Sequence, residues 1–397
     1  MLETKFDCCV VGGGMVGAAL ALGLAKQFHK VALIEKKPLA GFDKAQAPDI
    51  RVSALNMHSI NLLKSLGAWQ HVQKMRYRAY DTLSVWDGES SRKHLFDKSQ
   101  TTQFKASEID RELLGYFVEN RLLQLALYDE IKANWTNEIT CIHEQTISSI
   151  DVEQGSLILS SGQLIEARIL LGADGANSQI RQSAGIPTSG WQYAQKANAV
   201  LIKTKEKVPD ETWQAFYATG PRALLPMHDH YACLIWYHNA TKSKWIQKAS
   251  KEDLKAAVIN DFPDVLGEFE IVKVAGFPIT RMHAHRYGQG KAIIVGDAAH
   301  TINPLAGQGV NLGFKDVDAL LSIIQHEGLD KPKRLIALYE NKRRVPNLLM
   351  MSLMDVIYHG FSNTFMPMQI AREIGLKVAD KAGPLKKMAL KYAMGLV

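Results

Sequence analysis

The residues with the clearest chemical capacity are glycines and carboxylates that follow apolar runs. FDCCVV leads directly into Gly12, Gly13 and Gly14, and Gly17 follows. At that spacing the first glycine permits a tight turn, the second lets backbone approach a pyrophosphate, and the third lets strand and helix pack closely. The next apolar run, KVALIE, ends in Glu35, 18 residues beyond Gly17. A carboxylate there can accept both ribose hydroxyls of an adenosine. It also repels a 2′-phosphate, so this site points to FAD or NAD and away from NADP.

Two further acids end apolar runs. Asp174 follows ARILLGA, and Asp297 follows KAIIVG. Between Lys291 and Leu320 the order is a buried strand from Ala292 to Val295, Asp297, a turn with Gly307, Gln308 and Gly309, and then a helix. Strand ends in open α/β sheets are where ligands bind, and N–H groups ahead of a helix suit an anion or an electron-rich oxygen. Arg51 either neutralises the pyrophosphate or is a solvated loop arginine. Asn120 and Gln124 lie four apart on one predicted helical face, where they reach a cofactor or simply meet solvent. No acid–base residue stands out. His300, beside Asp297, suits orienting backbone better than moving a substrate proton.

These side chains need elements to position them. The strand from Phe6 to Val11, the helix through AALALGLAKQF and the strand KVALIEK complete a βαβ unit. YDTLSVWDG and KHLFDKS alternate like strands of another sheet, and DRELLGYFVENRLLQLALYDEIKANW reads as a helix beginning at Asp110. TISSIDVEQGSLILSSGQLIEARILLGADG reads as antiparallel strands ending in an apolar strand, Ile169 to Leu171. Residues 185 to about 284 hold five or six strand patterns and one helix, KEDLKAAVINDF, consistent with an antiparallel sheet. Its aromatic residues (Trp191, Tyr193, Trp213, Tyr217, Trp236 and Tyr237) belong to core individually and allow a wall over a flat substrate collectively. The last fifty residues are helical, and Gly383 and Pro384 divide the stretch after the methionine-bearing helix. Lys386, Lys387 and Lys391 accompany Met388, Leu390, Met394 and Leu396, a pattern that suits either interfacial contact or capping of a domain or dimer.

Composition bounds the reading. The 397 residues suit two domains, possibly interleaved, and 47% hydrophobic with 22% charged residues describes a globular chain. A net charge of +7 and a pI near 9.0 allow an acidic surface as partner, but no zinc-finger spacing or aromatic–basic tract supports nucleic acid. The four cysteines form no disulfide framework or metal knuckle, which fits a reducing compartment. There is no signal-peptide pattern, and no uncharged window approaches the roughly 20 residues needed to span a bilayer. The expectation is a cytoplasmic protein, soluble or at most peripheral on the inner face of the cytoplasmic membrane, with no metal.

The motifs VVGGGMVG, DIRVSAL, GYFVEN, LLGADGANSQIRQSAGI, FPITRMHA and GDAAHTINPLAGQGVNLGFKDVDAL make the chain resemble, over essentially its full length, the group A flavoprotein aromatic hydroxylases. WQYAQ, PRALLPM and the final LKKMALKYAMGL are similar to the ubiquinone-biosynthesis branch. The resemblance implies an α/β FAD-binding fold of the glutathione-reductase/aromatic-hydroxylase type. It would be interleaved with an antiparallel-sheet α+β substrate domain and followed by a C-terminal helical segment. The implied divisions are 1–75, 110–184 and 285–345 for FAD, 76–109 and 185–284 for substrate, and 346–397 for C-terminal helices that contact a membrane or a dimer partner.

Carried over residue by residue, Gly12, Gly14, Gly17 and Glu35 would hold the ADP part of FAD, with Arg51 near the phosphates or ring. Asn120 sits where relatives touch FAD with a polar or basic side chain. Asp174 belongs to a DG motif that supports FAD and NADPH, and Asp297 would bond the ribityl chain. Pro304 would face the reacting end of the ring, with Gly307, Gly309, Val310 and Asn311 around its pyrimidine edge. The implied chemistry is reduction of the flavin by NAD(P)H, with NADPH inherited from the family, then O2 addition and oxygen transfer from a C4a-hydroperoxide. The implied substrate is 2-polyprenyl-3-methyl-6-methoxy-1,4-benzoquinol, within a ubiquinone-biosynthesis protein complex. Alternatives are hydroxylation of another ring position, another FAD oxidoreductase, and a noncatalytic assembly subunit.

Overall fold

The computed structural model describes residues 4–88, 101–263, 266–362 and 383–394. The KHLFDKS strand expectation and the helix expected from Met366 lie outside the described residues.

The first sheet is built from segments far apart in sequence. Its order is Gly288–Gln289, Ala292–Ile294, Leu164–Gly172, Lys5–Val11, Val31–Glu35 and Ile139–His143, with the hairpin Ile147–Asp151 and Ser156–Leu159 joined to Leu164–Gly172. Lys5–Val11 pairs in parallel with both neighbours, and Leu164–Gly172 pairs in parallel with Ala292–Ile294. Cys8, Cys9, Val10 and Val11 are all buried. Successive residues of a strand face opposite sides, so both faces of this largely parallel sheet are covered here and a continuous apolar run replaces alternation. Met15–Lys26 packs against Gly309–Glu327 and Asn120–Asn134, and Gly309–Glu327 packs in turn on the long helix Pro332–Phe361.

The second sheet runs His300–Thr301, Phe269–Ala284, Thr188–Thr204, Tyr231–Asn239, Arg222–Pro226, Glu211–Phe216, Thr82–Asp87 and Thr102–Lys105. Every pair in it is antiparallel except Glu211–Phe216 with Thr82–Asp87. Trp213 and Trp236 pack with Phe262 in its core. Two helices, Ala240–Ile246 and Lys251–Asp261, precede the last long strand, where one was expected.

A third, three-stranded sheet corrects the helix expected from Asp110. Gly115–Glu119 is a strand, paired antiparallel with Val52–Asn56 and Arg78–Tyr80, and the helix begins only at Asn120. Tyr116, Phe117 and Val118 favour extended backbone, and pairing with two strands outweighs the apolar periodicity that continues into the helix. The strands of this sheet are interleaved in sequence with those of the other two, and Val52, Ala54, Tyr80 and Phe117 from it line a cavity.

Candidate functional site

Four parallel strands end in register. Val11 pairs with Ile34 on one side and Gly172 on the other, and Gly172 pairs with Ile294. Glu35, Gly12, Asp174 and Asp297 therefore follow one another along a single carboxyl edge, although they lie up to 285 positions apart (297 minus 12). The segment after Ile294 crosses from this sheet to the second one, where His300–Thr301 is the edge strand. Asp297 thus sits at the junction of the two sheets.

The glycine turn behaves as its spacing predicts. Gly12 has φ +97 and abuts the Ala173 carbonyl, so a Cβ there would lie 2.5 Å from the oxygen. A Cβ at Gly17 would fall 1.9 Å from the Gly12 oxygen, whereas one at Gly14 would meet no heavy atom within 4 Å. Two glycines hold strand and helix together, and the third leaves backbone open to a ligand. From the neighbouring helix, Gln124 donates through Nε2 to the Gly13 oxygen at 2.8 Å. Tyr128, one turn further, presses its hydroxyl against Gly13 and has no protein partner for that buried oxygen. The sequence leaves Gln124 open between cofactor and solvent, and the structure turns it onto the glycine turn; Tyr128 continues the i, i+4 spacing of Asn120 and Gln124 and is not singled out in the sequence.

The carboxylates differ. Glu35 is half-buried and accepts the Lys37 N–H at 2.9 Å with Oε1. Asp174 accepts from the N–H groups of Gln179 and Ile180 with Oδ2, at 2.6 and 3.3 Å, while Oδ1 is buried without a partner. Asp297 keeps an exposed surface, yet protein is packed densely around its carboxylate and desolvates it. That desolvation raises its pKa, opposed by the charges of His300 and Arg51. The opposing Arg51 charge puts Arg51 and Asp297 in one electrostatic neighbourhood. Arg51 is exposed, and its carbonyl accepts the Asn120 N–H at 2.9 Å. Asn120 itself is turned toward Ser53, whose hydroxyl donates to Asn120 Oδ1 at 2.7 Å.

The turn after Asp297 brings the remaining candidates together. Pro304 is exposed and starts the short turn Leu305–Gly307. Gly307 has φ +63 and lies against Ala54. Gly309 opens the helix Gly309–Glu327, so the N–H groups of Gly309, Val310 and Asn311 lie in its first turn, where no preceding carbonyl is available within the helix. The Asn311 side chain is buried. It accepts from the Asn56 N–H and Ser59 hydroxyl, at 3.1 and 2.6 Å, and donates to the Ala54 carbonyl at 2.8 Å. It ties this helix to the third sheet.

A mainly apolar cavity of about 200 Å³ adjoins this turn. Pro304, Leu305, Gly307 and Gln308 form one side, strands of the second and third sheets form others, and Leu390 and Met394 of the tail helix complete it. No Asp, Glu, His, Lys or Arg is among the described residues lining it. Asn56, Thr212 and Tyr237 have protein partners there, at Ser59, the Leu224 carbonyl and Asn303. The Tyr80 hydroxyl and the Gln214 carboxamide have none among the described residues. Burial raises the Tyr80 pKa, which keeps that hydroxyl protonated as a donor.

Behind the turn lies a buried polar cluster. Asp316 accepts from the Gly296 N–H at 3.1 Å, Arg343 Nε at 2.7 Å and Asn347 Nδ2 at 3.0 Å, and His300 Nε2 lies 2.5 Å from its Oδ2. His300 is 1% exposed and faces this cluster. No group of three His, Cys, Asp or Glu side chains among the described residues is placed to hold a metal ion.

The donor set fits FAD. Open backbone at Gly14, a half-buried Glu35, the unpaired buried oxygen of Asp174 and the first-turn N–H groups at Gly309 to Asn311 match a dinucleotide with a terminal ring. The adjoining apolar cavity suits a neutral ring.

Comparisons with known proteins agree with this arrangement. A family described as "FAD binding domain" matches residues 5–349. The chain is 40% identical, over an alignment 406 positions long with gaps counted, to the 3-demethoxyubiquinol 3-hydroxylase of Escherichia coli strain K12, covering 100% of each. It is 32% identical to a ubiquinone hydroxylase of Rhodospirillum rubrum, covering 98% of this chain and 89% of that protein. Among solved structures, PqsL, a probable FAD-dependent monooxygenase from Pseudomonas aeruginosa, shares the fold with a TM-score of 0.75 at 20% identity, covering 94% and 99% of the two chains.

Proposed function

Because the chain belongs to the FAD-dependent monooxygenases of the ubiquinone-biosynthesis type, we propose that it hydroxylates the ring of 2-polyprenyl-3-methyl-6-methoxy-1,4-benzoquinol. The observation that carries the reading is the meeting of the parallel-sheet edge with the apolar cavity at Pro304 and Gly307. The choice of substrate rests on the similarity to the Escherichia coli enzyme. Likeness to the Rhodospirillum rubrum hydroxylase favours a second reading, in which another ring position of the same pathway is the target.

When bound, FAD takes electrons from NAD(P)H and activates O2 so that one oxygen atom enters the ring and the other leaves as water. The protein holds and surrounds it. Gly12, Gly14 and Gly17 seat the pyrophosphate, Glu35 accepts the adenosine ribose hydroxyls, and Arg51 neutralises phosphate charge. Asp174 and Asn120 would contact the cofactor, and Asp297 would accept from its ribityl hydroxyls. The N–H groups of Gly309, Val310 and Asn311, aided by the helix dipole, stabilise negative charge at the pyrimidine edge. Pro304, Leu305 and Gly307 close the reacting side, and the apolar walls exclude water. The ring hydroxyls already donate electrons, so a cavity with no carboxylate or histidine among its described residues is chemically adequate.

The same reading assigns residues 1–75, 110–184 and 285–345 to the cofactor and 76–109 and 185–284 to substrate. It places the protein in the cytoplasm, at the inner face of the membrane that dissolves its substrate, with other quinone-synthesis proteins as partners. No helix among the described residues is long and apolar enough to cross a membrane.

Expression of this chain in a bacterial strain lacking the corresponding hydroxylase tests the proposal by lipid mass spectrometry. Loss of the demethoxy precursor and return of ubiquinone are expected. Persistence of that precursor rules out the substrate, and accumulation of a different precursor on deletion of this gene identifies the other ring position.

A further inference from the structure

The tail helix Pro384–Ala393 has two unlike sides. Leu390 and the following Met394 are buried, line the cavity and pack with Ala106, Ile109 and Leu114. On its outer side Lys387 and Lys391 are exposed, and Met388 is 58% exposed. Lys386 anchors the rim, with Nζ 2.9 Å from Glu108 Oε1 and 5.5 Å from the Phe104 ring centre.

The outward side combines a large apolar side chain with two cations one turn apart. That combination suits an anionic lipid surface: the methionine enters the acyl boundary, and the ammonium groups meet headgroup phosphates. The inward side is part of the cavity wall. Elsewhere that wall is largely made of strands hydrogen-bonded to their neighbours, which cannot part without breaking a sheet. A helix of 10 residues is held chiefly by its tertiary contacts. Leaving the wall breaks its apolar contacts, the Lys386–Glu108 ion pair and the other interactions of Lys386, the Phe104 ring among them.

We propose that this helix is the membrane-facing gate of the cavity. Its outer side rests on an anionic bilayer, and its inner side separates from the wall at residues 106–114 to pass a prenyl chain. The inference rests on the prenylated-quinol reading above. A prenyl chain of several units is longer than the ring that carries it and needs an apolar exit from the cavity, part of which is walled by Leu390 and Met394. The apolar, separable wall bearing Leu390 and Met394 provides that exit.

The full chain is tested with phosphatidylcholine vesicles with and without phosphatidylglycerol. Wild type is expected to float with the anionic vesicles, and Lys387→Glu/Lys391→Glu to bind them about tenfold or more weakly. Turnover of prenylated quinol dissolved in those vesicles should fall in proportion, while turnover of a soluble short-chain quinol stays unchanged. Amide hydrogen exchange across residues 384–394 should change about threefold or more when anionic vesicles are added. Equal vesicle binding by wild type and variant, equal binding to both lipid mixtures, or unchanged exchange in this helix would overturn the proposal. The two readings fail differently. A wrong substrate leaves vesicle binding intact without quinol turnover, whereas a wrong gate leaves turnover intact and insensitive to charge reversal.

Discussion

Oδ2 of Asp316 lies 2.5 Å from Nε2 of His300, with both side chains buried. The contact joins the first turns of the helix Gly309–Glu327 to the segment that carries Asp297. Arg343 and Asn347 bind the other carboxylate oxygen and bring in the helix Pro332–Phe361. Burial alone would raise the Asp316 pKa. The His300 charge and hydrogen bond, with Arg343 and Asn347, outweigh it and hold the carboxyl well below the usual range.

Replacing Asp316 with Ala leaves Arg343 and His300 buried without their carboxylate, at a cost of about 3–5 kcal/mol. The wild type should also lose this contribution in acid. A depressed folded pKa means that the stabilisation is present above the unfolded carboxylate pKa and disappears as pH falls toward the folded value. Urea titrations at several pH values check both points. Equal acid sensitivity in wild type and variant would argue against the role given to Asp316.

The glycine turn separates folding from cofactor binding. Gly17→Ala should destabilise the protein by about 3 kcal/mol or more, because its Cβ would lie 1.9 Å from a backbone oxygen. Gly14→Ala has no such clash and should change stability by under about 1 kcal/mol, while weakening FAD binding about tenfold. Thermal unfolding of apoprotein and fluorescence titration with FAD distinguish the two effects. Undiminished FAD affinity in Gly14→Ala would place the pyrophosphate elsewhere.

Asp297 gives the opposite sign to Asp316. A carboxyl whose folded pKa is raised above its unfolded value costs stability when ionised, and that cost is relieved as pH falls through the folded value. Asp297→Asn should therefore make the apoprotein slightly more stable at neutral pH and at the same time retain flavin less well. Melting curves with and without FAD check this; a variant that is less stable without cofactor would point to a structural role instead.

Among the described residues, Gln214 is the cavity amide without a protein partner. Gln214→Leu should reduce kcat/KM for the quinol about tenfold, corresponding to one lost hydrogen bond at roughly 1–1.5 kcal/mol. More NAD(P)H should then be spent on hydrogen peroxide for each product molecule formed. A coupling ratio equal to wild type would show that Gln214 does not orient the ring.

The local features were legible because each lies in a short stretch with its own period. Gly12 to Gly17, Glu35 and the Asp297-to-Asn311 turn are examples, and their strand ends fall in register as parallel pairing requires. Gly115–Glu119 was misread because an apolar run continuous with a helix gives no sign that two distant strands wait to pair with it. The Asp316 cluster was not visible for a related reason. Gly296, His300, Asp316, Arg343 and Asn347 come from a turn, a strand and two helices, and nothing in their spacing indicates that folding places them around one carboxylate. The apolar and basic residues of the tail were readable, but which of them faced the cavity was not.

The most direct test of the central claim is oxygen labelling with the purified, FAD-loaded protein, NADPH, 18O2 and a short-chain 3-methyl-6-methoxy-1,4-benzoquinol. Mass spectrometry of the product should show one 18O atom in a new ring hydroxyl. NADPH oxidation that yields only labelled hydrogen peroxide, with no 18O in the ring, would contradict the account.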